Sequence, residues 1–214
     1  TWDALVSKGV FLARPDRRMV GGDQAGAHAH ELHAFAHDKI AVTGAPQFNG
    51  YELGAPVSKG IILVSGTTVA YWKDEASVVA LLAGSGMPTF YSPHPRQKPE
   101  AVAAMREIAK SMKALTVNPS WKPGWNTPAL WYQVLFRSIS VLVTAFSTMA
   151  IEAALHGIPV VLVNYGDGVG DYAKWEHIRP MLKWPGVEVV SRPDDLVPTV
   201  RRLVNVGLPQ RTRD

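Results

Sequence analysis

A chain of 214 residues, with 47% hydrophobic and 19% charged side chains, has the composition of a globular protein of one or two domains. No apolar run reaches the ~18 residues of a membrane span, and the absence of cysteine excludes disulfides and thiolate chemistry while fitting a reducing cytoplasm. The net charge of +4 suits phosphorylated ligands or peripheral contact with an anionic membrane face, whereas the scattered basic residues argue against nucleic-acid binding.

We interpret residues 1–57 as the tail of an N-terminal domain followed by a linker. The hydrophobic pattern predicts a strand at Arg17–Val20, an amphipathic helix at Gln24–Ala36 and a second strand at Lys39–Thr43. The polar stretch 49–58 contains glycine and proline, which is typical of a connecting segment.

Four histidines fall in this first segment, at positions 28, 30, 33 and 37. On the predicted helix His30, His33 and His37 share a face, and the last two have the i, i+4 spacing of a metal-binding pair. No cysteine and few carboxylates accompany them. We therefore prefer a solvated, histidine-rich helix face and predict no metal site.

From residue 58 onward, short apolar runs alternate with helical patterns. Strands are predicted at 60–65, 88–91, 115–117, 141–144, 159–163 and 187–190. Helices are predicted at 74–82 with Asp74 as its cap, 99–113, 128–137, 149–156, 193–204, and from the glycine-rich loop 165–170 to Lys183. Because the strands lack polar alternation, both sheet faces should be covered, so the predicted fold class for residues 58–214 is α/β, with a Rossmann-like parallel sheet and helices on both faces.

The stretch from Leu142 to Asn164 predicts a strand, a turn with two hydroxyls, a short helix and a second buried strand. Such a unit requires a right-handed parallel crossover, which places Ser147 and Thr148 at a helix N-terminus and at the carboxyl end of a strand. Free N–H groups and the helix dipole favour phosphate there. The alternative is that Ser147 only caps the helix.

Four strand-to-helix loops should meet at the carboxyl edge of this sheet, where open α/β sheets bind ligands. They are residues 65–68, 93–96, 146–148 and 164–167. In the first loop, Gly66 and Thr67 allow close backbone approach and supply a hydroxyl. In the second, His94 and Arg96 supply hydrogen-bond donors and positive charge for a phosphate.

Several other polar side chains near this edge have simpler interpretations. Glu75 stands early in a predicted helix, where a carboxylate suits the dipole. Asp167 lies between two glycines and is typical of a turn. Glu176 and His177 follow the glycine-rich loop, from which His177 is a secondary candidate to reach the site.

Three segments together resemble a known family. The sequence Ser92-Pro-His-Pro-Arg96, together with Ser147-Thr148 and the run from Ile151 to Pro159, resembles the C-terminal, donor-binding domain of GT-B glycosyltransferases. The similarity is greatest to the group of CDP-glycerol glycerophosphotransferases and capsule polysaccharide transferases. It implies that His94-Pro95 and Ser147-Thr148 hold the nucleotide phosphates, that His94 is catalytic, and that Glu152 binds the ribose hydroxyls.

The resemblance also implies a function. Such a protein binds a nucleotide-activated sugar or a CDP-glycerol-like donor and transfers its group to a glycan or cell-envelope polymer acceptor, in the cytoplasm or at the inner face of the membrane. No metal or other cofactor is required, and the sequence has no Asp-x-Asp motif that would hold one.

One departure from the family leaves alternatives open. GT-B enzymes have two Rossmann-like domains, whereas only about 50 residues precede the donor-type domain here, too few for a second one. We therefore also expect that this chain alone need not catalyse transfer. The alternatives are a non-catalytic nucleotide-sugar-binding half that needs an N-terminal domain or partner subunit, and an isomerase similar to UDP-sugar 2-epimerases.

Overall fold

A computed structural model of the protein describes residues 16–31, 33–44, 60–67, 71–124, 129–145, 147–166, 178–179 and 181–206. The chain divides into two units, Thr1–Tyr51 and Glu52–Asp214. No helix among the described residues is long and apolar enough to cross a membrane. The predicted linker at 49–58 lies outside the described residues, and so do Asp167, Glu176 and His177.

The first unit contains two short parallel strands and one helix. Strand β1 (Arg18–Val20) pairs in parallel with β2 (Ile40–Val42), and helix α1 (Asp23–Glu31) packs against both. The small core between them consists of buried Val20, Ala29 and Phe35, with Ala25 and Ile40 partly buried against it.

The predicted helix at 24–36 is too long. Helix α1 ends at Glu31, and the chain reverses at Ala34, whose φ is +49°. The reversal buries Phe35, whose N–H donates to the Ala29 carbonyl at 3.1 Å. His33 and His37 therefore lie beyond the helix and share no helical face with His30, although the rings of His30 and His37 stack with centroids 3.8 Å apart. No cluster of three potential metal ligands occurs in the part of the chain that the structure describes.

Six parallel strands form the sheet of the second unit, as the apolar runs predicted. They are β3 (Ile62–Ser65), β4 (Thr89–Ser92), β5 (Leu115–Val117), β6 (Val141–Thr144), β7 (Val160–Val163) and β8 (Val187–Val190). Their order across the sheet is β5-β4-β3-β6-β7-β8. All four residues of β3, β6 and β7 are buried, because helices cover both faces of these inner strands.

Five helices accompany this sheet among the described residues: α2 (Trp72–Gly84), α3 (Pro99–Ser111), α4 (Ala129–Ser138), α5 (Met149–Leu155) and α6 (Pro193–Val206). The connection from β3 to β4 runs one way along the sheet and that from β6 to β7 runs the other way. Right-handed crossovers therefore place α2 and α5 on opposite faces. Helix α6 packs against α2, and Phe136 of α4 stacks on His156, which follows α5.

Two predicted helix details are wrong. Helix α2 begins at Trp72, so Asp74 is its third residue and not its cap. The helix predicted to reach Lys183 falls mostly on residues outside the description, and its described end, Met181–Lys183, is a single 3-10 turn.

The sheet order contains one reversal of direction. After β3 the chain adds β4 and β5 on one side, and it then crosses back to add β6, β7 and β8 on the other side of β3. The helices on either side of such a reversal diverge and leave a crevice outside the carboxyl ends of the two strands. The fold therefore places its candidate ligand site between the loops that follow β3 and β6.

Candidate functional site

Three hydroxyl residues mark the floor of the crevice. In the strand register Ser65, the last residue of β3, lies opposite Ser92 of β4 on one side and Thr144 of β6 on the other. The Thr144 hydroxyl donates to the Ser65 carbonyl at 3.2 Å, and the Ser65 hydroxyl donates to the sulfur of Met149 at 3.0 Å. These bonds join β3, β6 and the first turn of α5 directly beneath the crevice.

Gly66 brings the loop after β3 against the loop after β4. Its N–H donates to the Ser92 carbonyl at 2.8 Å. A β-carbon at this position would lie 2.6 Å from the backbone nitrogen of His94, closer than real β-carbons approach, and 3.1 Å from the Cα of Pro93. The sequence indicated that glycine here permits close backbone approach, and the approach found in the structure is to the neighbouring loop.

Thr67 is 3% exposed and binds Glu75 rather than facing the crevice with a free hydroxyl. Its N–H and its hydroxyl both donate to Oε1 of Glu75, at 2.6 and 2.9 Å. The hydroxyl of Tyr91 donates to Oε2 of Glu75 at 2.8 Å. The carboxylate therefore joins the end of β4 to the loop after β3.

Glu75 is the feature that sequence reasoning missed. It is 2% exposed, whereas a carboxylate that only serves the helix dipole would stay in water. The signal was present, because Val78, Val79 and Leu82 follow at helical spacing and define the buried face of α2 on which Glu75 lies. Burial raises the pKa of the Glu75 carboxyl, and the bonds from Thr67 and Tyr91 oppose this rise. Burial and the adjacent Glu75 also raise the pKa of Tyr91, which therefore remains a phenol and a donor.

His94 is held in one orientation by the backbone around it. Its carbonyl accepts from the N–H of Gln97 at 2.8 Å and from the indole N–H of Trp121 at 3.1 Å. Its Nδ1 accepts from the backbone N–H of Arg96 at 3.1 Å. Since Nδ1 is an acceptor in this bond, the hydrogen of the neutral ring lies on Nε2.

The electrostatics of this loop keep the His94 ring neutral. Burial, and secondarily the positive charge of Arg96, lower the pKa of His94. The ring therefore offers a neutral Nε2–H donor, while the exposed Arg96 side chain supplies the positive charge. Pro95 accepts from the Gly124 N–H at 2.8 Å, which ties the same loop to the segment after β5.

Ser147 lies directly before Thr148, the N-cap residue of helix α5, and its hydroxyl pairs the first N–H of the helix. Its hydroxyl oxygen accepts from the N–H of Met149 at 3.2 Å, so the simpler of the two sequence interpretations describes its backbone contact. A serine hydroxyl that accepts one bond still has its own hydrogen to donate. Thr148 is exposed next to it, and Glu152, one turn into α5, is half-buried.

The strand end after β7 approaches the first turn of helix α2. The hydroxyl of Tyr71 donates to the carbonyl of Tyr165, which follows β7, at 3.1 Å. Gly166, with φ of +100°, packs so closely on the Asp74 carboxylate that a β-carbon would lie 2.6 Å from Oδ1. Burial and the charge of Asp74 raise the pKa of Tyr165 to about 12. The first turn of α2 thus contacts the ends of β3, β4 and β7.

The candidate residues fall into three groups on neighbouring strands. Gly66 and Thr67 follow β3, the segment from His94 to Arg96 follows β4, and Ser147 and Thr148 follow β6. Adjacent strands lie about 4.8 Å apart. Glu152 belongs to the third group through α5. The sheet therefore brings neutral donors, one cation and one carboxylate to a single edge.

No protein-family model matches the sequence, and no curated protein matches it. Solved structures are similar in fold. UDP-GlcNAc 2-epimerase of Methanocaldococcus jannaschii, solved with UDP-GlcNAc and UDP, has a TM-score of 0.60 at 12% identity over 93% of this chain and 56% of that one. The wall teichoic acid polymerase TagF with CDPG has a TM-score of 0.57 at 16% identity over 89% and 48%. TarM of S. aureus, with UDP, has a TM-score of 0.53 at 13% identity over 89% and 37%.

The chain therefore has the GT-B type of α/β fold that the resemblance in sequence implied. It spans about half the length of the first solved structures that it matches. At these identities the likeness is one of fold.

Replacing Gly66 by alanine should destabilise the protein by about 1–3 kcal/mol, because the new methyl group would overlap the backbone of the His94 loop. The matched control is Gly84→Ala, where nothing lies within 4 Å of the new β-carbon and helix propensity favours alanine by up to about 1 kcal/mol. Urea unfolding of both variants measures the difference. Equal stability of Gly66→Ala and the wild type would contradict the close approach.

Acidification should destabilise the folded protein partly through His94. Its folded pKa is lowered, so between that value and the unfolded value of about 6.5 the unfolded chain binds more protons. The contribution of neutral His94 to the free energy of unfolding is therefore present above about pH 6.5, and it is lost as the pH falls through the folded pKa. Urea midpoints at pH 7, 6 and 5 should decline less steeply in His94→Ala than in the wild type. Parallel declines would show that His94 titrates normally.

Proposed function

We propose that the protein binds a nucleotide-activated sugar or a CDP-glycerol-like donor at the crevice between β3 and β6, for transfer to a glycan or cell-envelope polymer. The observation that carries this proposal is the reversal of strand order at β3, which brings the three loops with His94, Ser147 and Gly66 to one edge. Similar solved structures were determined with UDP-GlcNAc, UDP or CDPG, which supports this ligand class.

The chemistry of the edge suits a leaving nucleotide phosphate. As the bond to the transferred group breaks, negative charge grows on the departing oxygen, and fixed donors stabilise that charge. The Nε2–H of His94 and the hydroxyl hydrogen of Ser147 would donate to the phosphate oxygens, and Arg96 would supply positive charge. Because His94 is neutral, its contribution is a hydrogen bond and not a full charge.

Pro95, Thr148 and Glu152 complete the proposed donor site. Thr148 is exposed beside Ser147 and would add a second hydroxyl to the phosphate. The carboxylate of Glu152 would accept from the ribose hydroxyls. Pro95, anchored through its carbonyl, would keep His94 and Arg96 on either side of the phosphate. Gly66 and Thr67 would form the wall of the crevice. This scheme has no role for a metal ion.

The acceptor side of the reaction would come from elsewhere. The second unit has a single six-stranded sheet among the described residues, and the matching structures are about twice as long as this chain. We therefore propose that transfer needs a facing domain or partner subunit. A non-catalytic nucleotide-sugar-binding half is the alternative for this chain acting alone.

A second candidate is an isomerase that inverts a nucleotide sugar. It is favoured by the fold similarity to the UDP-GlcNAc 2-epimerase. The same donor site would serve both reactions, because each begins with a bound sugar nucleotide.

A thermal-shift panel of CMP, CDP, UDP and GDP should identify a stabilising nucleotide. A ligand at one hundred times its Kd adds about 2.7 kcal/mol of stability. In calorimetry, His94→Ala and Ser147→Ala should each raise the Kd for that nucleotide about tenfold, since each removes a donor to a charged oxygen. The matched control is Ser111→Ala, because the exposed Ser111 hydroxyl bonds only to Ile108 within α3. Unchanged nucleotide affinity in both site variants would contradict the proposed site.

Product analysis should separate the two reactions. Incubation of the protein with a sugar nucleotide that stabilises it should yield no epimerised sugar by NMR in the absence of an acceptor, because we expect a donor site for transfer. An epimerised product formed without any acceptor would select the isomerase. Transfer to an added polymer by the 214-residue chain alone would overturn the need for a facing domain.

A further inference from the structure

The proposed reaction leaves one costly feature of the structure without a role. Glu75 is the sole buried carboxylate among the residues that the structure describes. Removing a carboxylate from water is unfavourable unless it is strongly hydrogen-bonded, and burial raises its pKa here. A buried carboxylate of this kind is a candidate for a functional role, and its hydrogen-bond partners indicate what that role is.

Among the described residues, the hydrogen-bond partners of Glu75 belong to the proposed ligand edge of the sheet. Oε1 accepts twice from Thr67, which follows β3, and Oε2 accepts from Tyr91, which lies in β4. Oε2 also lies 3.2 Å from the position of a β-carbon on Gly66. One carboxylate therefore connects two of the three loops to which the donor site is assigned.

Further polar residues lie near Glu75, in the His94 loop and in β6. Gln97 is 3% exposed and lies in the same loop as His94. Its side chain lowers the pKa of Tyr91, which partly opposes the rise caused by burial and Glu75. A cavity of about 10 Å³, near the lower size limit for one water molecule, lies beside Glu75 and is lined in part by Ser65 and Thr144. Glu75 therefore shares this small cavity with polar residues of β3 and β6.

We propose that Glu75 is a positioning residue that holds the loop Gly66–Thr67 against the loop Pro93–Gln97 and so sets the spacing of the groups that bind the donor phosphates. Its effect on ligand affinity rests on the proposed function, whereas its effect on the two loops does not. Glu75 itself does not touch the ligand.

The bonding pattern predicts which substitutions preserve the effect. Glutamine keeps an oxygen for the two donors of Thr67. Its NH₂ can donate to the Tyr91 hydroxyl, which then acts as an acceptor instead of a donor. Alanine leaves three buried donors unpaired, namely the Thr67 N–H and the hydroxyls of Thr67 and Tyr91. Rescue by glutamine therefore distinguishes hydrogen bonding that positions the loops from mere filling of space.

The test compares Glu75→Ala, Glu75→Gln and the control Ser85→Ala in the full chain. The Ser85 hydroxyl donates to Leu82 at 2.7 Å, at the opposite end of α2. In ligand-free protein, Glu75→Ala should speed amide hydrogen exchange about tenfold in peptides spanning 62–67 and 91–97, while peptides from β8 and α6 stay unchanged. Glu75→Gln and Ser85→Ala should exchange like the wild type. The Kd for UDP or CDP should rise about tenfold in Glu75→Ala alone.

Each outcome decides one of the two proposals. If the wild type binds neither UDP nor CDP but the exchange pattern appears, the proposed function is wrong and the positioning role stands. Folded Glu75→Ala with wild-type exchange, or with wild-type Kd for a nucleotide that the wild type binds, overturns the positioning role. If Glu75→Ala does not fold, Thr67→Val and Tyr91→Phe each remove one bond, and the absence of faster loop exchange in both overturns it equally.

Discussion

Parallel pairing of β3 with strands on both of its sides is the constraint on which the second unit depends. The register aligns Ser65 with Ser92 and with Thr144, so that three chain segments leave the sheet at the same level and the same edge. Because the order reverses at this strand, the helices that follow lie on opposite faces, and this edge is the candidate ligand site. The proposed chemistry follows from this arrangement, since no single loop holds all the donors that a phosphate requires.

The first turn of α2 and the residue before it make hydrogen bonds to several of the strand ends at that edge. Glu75 is buried and hydrogen-bonded to β3 and β4, while Tyr71 bonds to the loop after β7. Gly66 and Gly166 let the same loops approach to distances that any side chain would prevent. Buried polar groups of this kind stabilise little in net terms, yet they specify one arrangement, because any other leaves a donor unpaired.

The donors of the edge are prepared by backbone contacts and not by neighbouring charges alone. The Arg96 N–H fixes the tautomer of His94, and the Met149 N–H fixes the oxygen of Ser147. Each side chain therefore accepts one hydrogen bond from the backbone and retains one hydrogen that it can donate. Such preorganised dipoles need little rearrangement as charge develops on a leaving group.

The sequence by itself determined the elements and their order along the chain. The predicted bounds of β5, β6 and β8 agree with the structure, because short apolar runs between turn residues are local signals. It also identified His94, Ser147 and Gly66 as residues of strand-end loops. Only the tertiary structure decided the strand order, the early end of α1 at Glu31 and the burial of Glu75. These depend on contacts between distant residues, such as Ser65 with Met149 across 84 positions, which no local pattern encodes.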